Sequence, residues 1–124
     1  MYKRQQLRIP VLGRIFIYSN VFRFAESFFI LVRGGVPLVE SLSITEKIVS
    51  NHIYQEIITD VKEGVMRGKA ISPSFAMHPE MPLMVSQMIG IGERTGKLDS
   101  MVEHLAKFYE EELNDLIDTA TSLI

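Results

Sequence analysis

Three glycines, Gly90, Gly92 and Gly96, stand within one short stretch, and glycine-rich turns expose backbone N–H groups that can cradle an anion. The spacing does not fit a phosphate site. A dinucleotide fingerprint needs G-x-G-x-x-G after a strand, whereas Thr95 holds the third glycine position here, and no G-x-x-x-x-G-K-[ST] occurs. The run reads as a helix end and a turn. Within it, Glu93 and Thr95 carry the polar chemistry. Either Thr95 bonds locally while Glu93 pairs with a cation or a helix N-terminus, or the two form a recognition corner shown to a partner. A second concentration is Glu110, Glu111, Glu112, Asp115 and Asp118. Carboxylates are natural ligands of a divalent cation, which makes Glu111 and Asp115 the metal candidates. Like charges one helical turn apart cost roughly 0.2–0.5 kcal/mol per pair, yet a solvated face is the favoured reading. Acid–base work by paired carboxylates would need a cleft and shifted pKa values. His52, His78 and His104 recur every 26 residues, match no H-E-x-x-H or other ligand spacing, and read as surface residues. The chain has no cysteine, which excludes thiol catalysis, disulfides and Cys-ligated zinc. Met81, Met84 and Met88 share a helical face and read as core packing before an adaptable docking surface. No cofactor is expected.

The elements that must position these residues are all helical. Residues 1–19 contain Ile9-Pro10-Val11-Leu12-Gly13 and read as an extended lead-in, because Pro and Gly break regular structure. A first helix is expected from Asn20, where Val21, Phe24, Phe28, Leu31 and Val32 recur at spacings of three and four. Gly34-Gly35 would cap it, and Pro37 would open the second helix, which runs to about Val49. Asn51 stands at a cap or turn position before a third helix to Arg67, with Gly68 after it. Ser72-Pro73 resembles an N-cap with Pro at the first helical position, opening a short helix to about Met77. A fifth helix is expected over residues 82–94, ended by Thr95-Gly96. The last is expected from Ser100, with Glu103 in capping-box register. No strand alternation is present. The fold class is therefore all-α, an antiparallel bundle of about six helices with short loops.

The chain has 124 residues, 47% of them hydrophobic, which is one domain with enough core to fold without staples. Its 13 Lys+Arg against 15 Asp+Glu give a net charge of −2, far from the balance of a nucleic-acid binder. The even total hides a polarity. Before Glu26 there are cations at Lys3, Arg4, Arg8, Arg14 and Arg23 and no acidic residue; from Leu98 onward Lys107 alone opposes Asp99, Glu103 and the acidic group. A basic stretch is favoured beside the cytoplasmic face of a bilayer, the plainer reading being a soluble basic arm; residues 1–19 thus read as a basic juxtamembrane-like lead-in and 20–124 as the helical-bundle cytoplasmic domain. No run reaches the roughly 18 uninterrupted apolar residues expected of a span, and no signal peptide is expected. The last helix is still in register at Leu123 and Ile124, so the parent chain is expected to continue.

Several motifs in order resemble one family, the inner-membrane platform (F) protein of bacterial type II secretion and type IV pilus assembly machines. They are Leu12-Gly13, Arg23-Phe24-Ala25, Gly35-Val36-Pro37-Leu38 with Glu40 and Leu42, and Asn51. Val65, Gly68 and Ser72 follow, then Val85, Gln87, Met88 and Ile89. The segment from Gly92 through Glu93, Arg94, Thr95, Gly96, Lys97 and Leu98 to Asp99 continues the match, and Phe108-Tyr109-Glu110-Glu111-Glu112 closes it. The lead-in and the ending look more like the second of the family's two cytoplasmic domains. Departures are Phe28 and Phe29 in place of commoner leucines, Gly34, and the unusual Arg33. The resemblance implies a non-enzymatic scaffold on the cytoplasmic face of the bacterial inner membrane, anchored by segments outside this chain. It further implies coupling of an assembly ATPase, with other inner-membrane components, to pilin or pseudopilin subunits, and self-association as a homo-oligomer such as a dimer. Glu40, Glu93, Arg94, Tyr109, Glu110 and Glu112 are the expected surface contacts. Gly34, Gly35, Pro37, Gly68, Gly92, Thr95 and Gly96 are the expected structural turns. Two other readings stay open: a soluble helical adaptor with no membrane connection, and a small metal-dependent helical enzyme using Glu93, Asp99 and a histidine.

Overall fold

The computed structural model describes residues 2–122, with side-chain surroundings from residue 11 onward. Six helices follow one another: α1 (Tyr2–Arg33), α2 (Leu38–Ile48), α3 (His52–Met66), α4 (Ile71–Ala76), α5 (Leu83–Thr95) and α6 (Leu98–Ser122). There is no strand among the described residues, as the pattern of threes and fours requires. Leu123 and Ile124, where the sequence pattern was still helical, lie outside the described residues.

The lead-in is the main correction. Residues 2–19 are helical and continuous with the rest of α1, so the line drawn at residue 20 falls inside a helix. Pro10 removes one N–H and crowds the preceding turn, but the residues around it in sequence, Lys3, Gln5, Gln6, Leu7 and Arg8, are good helix formers. α1 packs against α6, with Ile17, Tyr18 and Phe22 set against the core, so tertiary packing rather than propensity carries the helix as a whole. Val11–Arg33 is also long and apolar enough to cross a bilayer by length and composition, with a best 18-residue window of mean hydropathy 1.5. The uninterrupted-run criterion misses it because charges such as Arg14 and Arg23 are spaced along it.

α1 and α6 form the principal pair. They run antiparallel: Arg33 at the end of α1 bonds Asp99 at the start of α6, and Tyr18 meets Tyr109 edge to face at 5.1 Å. The remaining helices close the bundle in sequence order, α2 on α1 and α3, α4 on α3 and α5, and α5 on α6. The core takes Val21, Phe24, Ala25 and Phe28 from α1, Leu42 from α2, Ile57, Ile58 and Val61 from α3, Ile71 and Phe75 from α4, Val85 and Ile89 from α5, and Val102, Leu105 and Tyr109 from α6. Phe24 stacks on Phe28 at 5.4 Å and meets Phe75 edge-on at 5.2 Å, geometries that add about 0.5–1.5 kcal/mol per pair to burial. Met81 is buried, and Met84 and Met88 pack against the core, as expected of their shared face.

Three helix ends are closed by a glycine of positive φ, Gly35, Gly68 and Gly96. Pro37 is the N-cap of α2 rather than its first residue, and its carbonyl accepts from Ser41 N–H. Asn51 caps α3, its Oδ1 accepting from Ile53 and Tyr54 N–H at 2.9 and 3.3 Å. Two expected caps are not formed. α4 begins at Ile71, one residue before Ser72. α6 begins at Leu98, so Ser100 lies inside the helix and its N–H donates to Asp99 Oδ1 at 2.8 Å.

Candidate functional site

The segment from Gly92 to Asp99 is where most of the chain's sharp signals fall, and the structure turns it into a joint between four helices. Ala70, the N-cap residue of α4, has no side-chain acceptor to offer. Glu93, on α5, supplies one instead: Oε2 accepts from Ile71 N–H at 2.6 Å and Oε1 from Ser72 N–H at 3.0 Å. A carboxylate there satisfies two orphan donors and faces the positive end of the helix dipole. The local reading of Glu93 therefore holds, and its carboxylate is committed inside the fold. Thr95 likewise bonds locally, Oγ1 donating to Ile91 O at 2.7 Å.

Gly92 is required by contact, not by dihedral. A Cβ there would lie 2.8 Å from Leu98 Cα and 3.2 Å from both Leu98 N and Lys97 O, all backbone atoms that cannot swing aside. Gly96, at φ 71°, then makes the left-handed turn that sends the chain into α6. The glycine run brings two backbones together; it does not cradle an anion. Beyond the turn Asp99 binds Arg33, Nε to Oδ2 at 2.9 Å, while Arg33 Nη2 also reaches Glu103 at 3.7 Å and its guanidinium stands 5.0 Å over the Phe29 ring. The Ser100 N–H, reinforced by Arg33, holds the Asp99 carboxyl below its ordinary range. Glu93 and Asp99 are thus engaged separately. Among the described residues no three His, Cys, Asp or Glu side chains gather as a metal group.

The expected contact residues divide into two sets. Glu40, in the first turn of α2, and Arg94, in the last turn of α5, are exposed, as are Glu110, Glu111 and Asp115 on α6; Glu112 is half-buried. Tyr109 is not a surface residue, and that expectation is corrected. It is 2% exposed, set between Tyr18 and Phe108. Burial, with Tyr18 and Glu112 nearby, pushes its hydroxyl up to about 12. It was expected as a surface contact, but helical spacing from Val102 and Leu105 puts it on the buried side. Of the histidines, His78 is half-buried with Nε2 2.8 Å from Asp60 Oδ2, while His52 and His104 are exposed.

A sequence model of the family described as type II secretion system (T2SS), protein F, matches residues 24–124. The chain belongs to this family. It is 37% identical over 122 residues to the type IV pilus assembly protein PilC of Thermus thermophilus, covering 98% of this chain and 30% of that protein. It is 34% identical over 118 residues to the type IV pilus assembly protein PilC of Myxococcus xanthus, covering 95% and 28%. To the type II secretion system protein F of Pseudomonas aeruginosa it is 36% identical over 107 residues, covering 86% and 26%. The chain thus spans about a third of the length of the relatives it matches.

For this F-family domain the sequence signature is a set of structural devices. Asn51, Gly92, Glu93 and Gly96 set helix ends and a close backbone crossing; none of them lines a shared cleft. The residue that sequence reading undervalued is Arg33, noted only as unusual. Its signal was available: Asp99 and Glu103 stand one turn apart at the start of the last helix, and a lone cation closing the first helix complements them.

Proposed function

We propose that this domain is a non-enzymatic scaffold of an inner-membrane platform protein, coupling a cytoplasmic assembly ATPase to pilin or pseudopilin assembly. The observation that supports this reading is the family match over residues 24–124, with relatives named for pilus assembly and for secretion. The geometry agrees with a body that transmits force. Its signature residues lock helix to helix, through Glu93 between α5 and α4 and through Arg33 between α1 and α6. Residues 1–19 carry the basic juxtamembrane role, the membrane being spanned by segments outside this chain, and the domain works as a homo-oligomer on the cytoplasmic face. The exposed set Glu40, Arg94 and Glu110 supplies the partner contacts, since exposed charge governs encounter and register more than affinity.

The test is co-purification of the full-length parent with its cognate assembly ATPase. Charge reversal at Glu40 and Arg94 together is expected to cut recovery of the ATPase at unchanged melting temperature. Full recovery with that double variant would move the contact elsewhere, and no recovery with the unaltered protein would overturn the scaffold reading.

A further inference from the structure

We infer that the side of α1 between Leu12 and Arg23 that forms a groove against the α2–α3 junction docks onto an anionic bilayer surface. The groove is open and holds about 560 Å³; Leu12, Ile15, Phe16, Ser19, Arg23 and Ser50 are among its lining residues, and no carboxylate is. Leu12 is 66% exposed and Phe16 46% exposed. Apolar side chains beside cations on one helix are the features that seat at the headgroup boundary. Arg23 and the hydroxyls of Ser19 and Ser50 are donors that a lipid phosphodiester can accept from.

Two further observations select a bilayer as the occupant. The first is charge. Every ionisable Lys, Arg, Asp or Glu before Glu26 is a cation. The exposed Glu111, Asp115 and Asp118 lie on the far side of α6, because Leu113, Leu116 and Ala120, at helical spacing, are the half-buried residues there. The groove side of α1 thus carries Arg23 with no carboxylate lining it, and an anionic plane attracts it. The second is apolar surface left uncovered. Of the residues in the most apolar 18-residue window of α1, 22% are buried, and Leu12 and Phe16, one turn apart, are exposed large apolar side chains lining the groove. Val21, Phe24, Ala25 and Phe28 in that helix fill the bundle core, so α1 lies on the membrane plane and does not cross it while the bundle is folded. This inference rests on the surface of α1 alone and is independent of which proteins the domain contacts.

The test is sedimentation of the 124-residue chain with vesicles of phosphatidylcholine alone or mixed with phosphatidylglycerol, at low and high salt, with inorganic phosphate as competitor. Binding is expected only to the anionic vesicles, weakened by salt and untouched by phosphate at matched ionic strength. Near an anionic surface each unit of charge is worth about fivefold in partitioning, so Arg23→Glu is expected to cost about 25-fold. Leu12→Ser is expected to weaken binding with the helical circular-dichroism signal unchanged, while Arg67→Glu, the same charge change at the end of α3, has little effect. Equal binding to both vesicle types, no binding to either, or an Arg67→Glu loss matching that of Arg23→Glu would overturn it. Displacement by inorganic phosphate would do the same, giving the groove to a soluble anion.

Discussion

The carboxylate of Glu93 accepts two N–H groups from a helix that starts 22 residues earlier in the chain, and this bond explains why a glutamate sits at an apparently exposed turn. Hydrogen bonds to a charged acceptor are worth about 1.5–3 kcal/mol each side of a single truncation. Glu93→Ala is expected to lower the free energy of unfolding by about that amount in urea titrations, with Glu93→Gln losing less because an amide oxygen still accepts. An unchanged midpoint for the alanine variant would remove Glu93 from the cap. From sequence, Glu93 could be read as an acid near a helix end, and one of its two readings named a helix N-terminus. Which helix could not be read, since α4 has Ala70 at its cap position and nothing local says that the missing acceptor comes from α5. Tyr109 shows the opposite failure. It was expected as a surface contact, while in the fold its ring meets Tyr18 from the far end of the chain and is buried.

At the scale of elements, α1 and α6 are held in register at one end by the Arg33–Asp99 pair. Both partners are substantially solvent-exposed, so the pair contributes modestly and is weakened by salt. Its pH signature is nevertheless specific. Because the folded state holds the Asp99 pKa below the ordinary 3.8, the stabilisation is full above that value and is lost as pH falls through the lowered one. The difference in melting temperature between the natural chain and Asp99→Asn is therefore expected to stay constant above pH 3.8 and to shrink below it. A difference that ignores pH would mean that Asp99 acts without its charge. Most element boundaries were legible because they rest on local chemistry: glycine after α1, α3 and α5, and Asn51 before α3. The start of α1 was not, because Pro10 and Gly13 argue locally for a break, whereas the helix runs through both.

For the molecule as a whole, protection against amide exchange is expected to follow the core rather than helix length. Amides near Phe24, Phe28, Ile58, Ile89 and Leu105 should exchange slowest, and those of the α6 end around residues 114–122 fastest, since side chains there are mostly exposed. Uniform protection along α6 would show that its end is covered by something in solution. The spacing of apolar residues by itself determined that the chain is all helix, how many helices it has and where most of them stop, because periodicity, glycine and cap residues act within a turn or two. The ordered motifs, not that spacing, carried the resemblance to the family, which the match over residues 24–124 bears out. Tertiary structure alone decided that α1 runs unbroken from Tyr2, that Glu93 serves α4 and that Tyr109 is buried. Each of these depends on contacts between residues far apart in sequence, and their free energy is settled only when the helices pack.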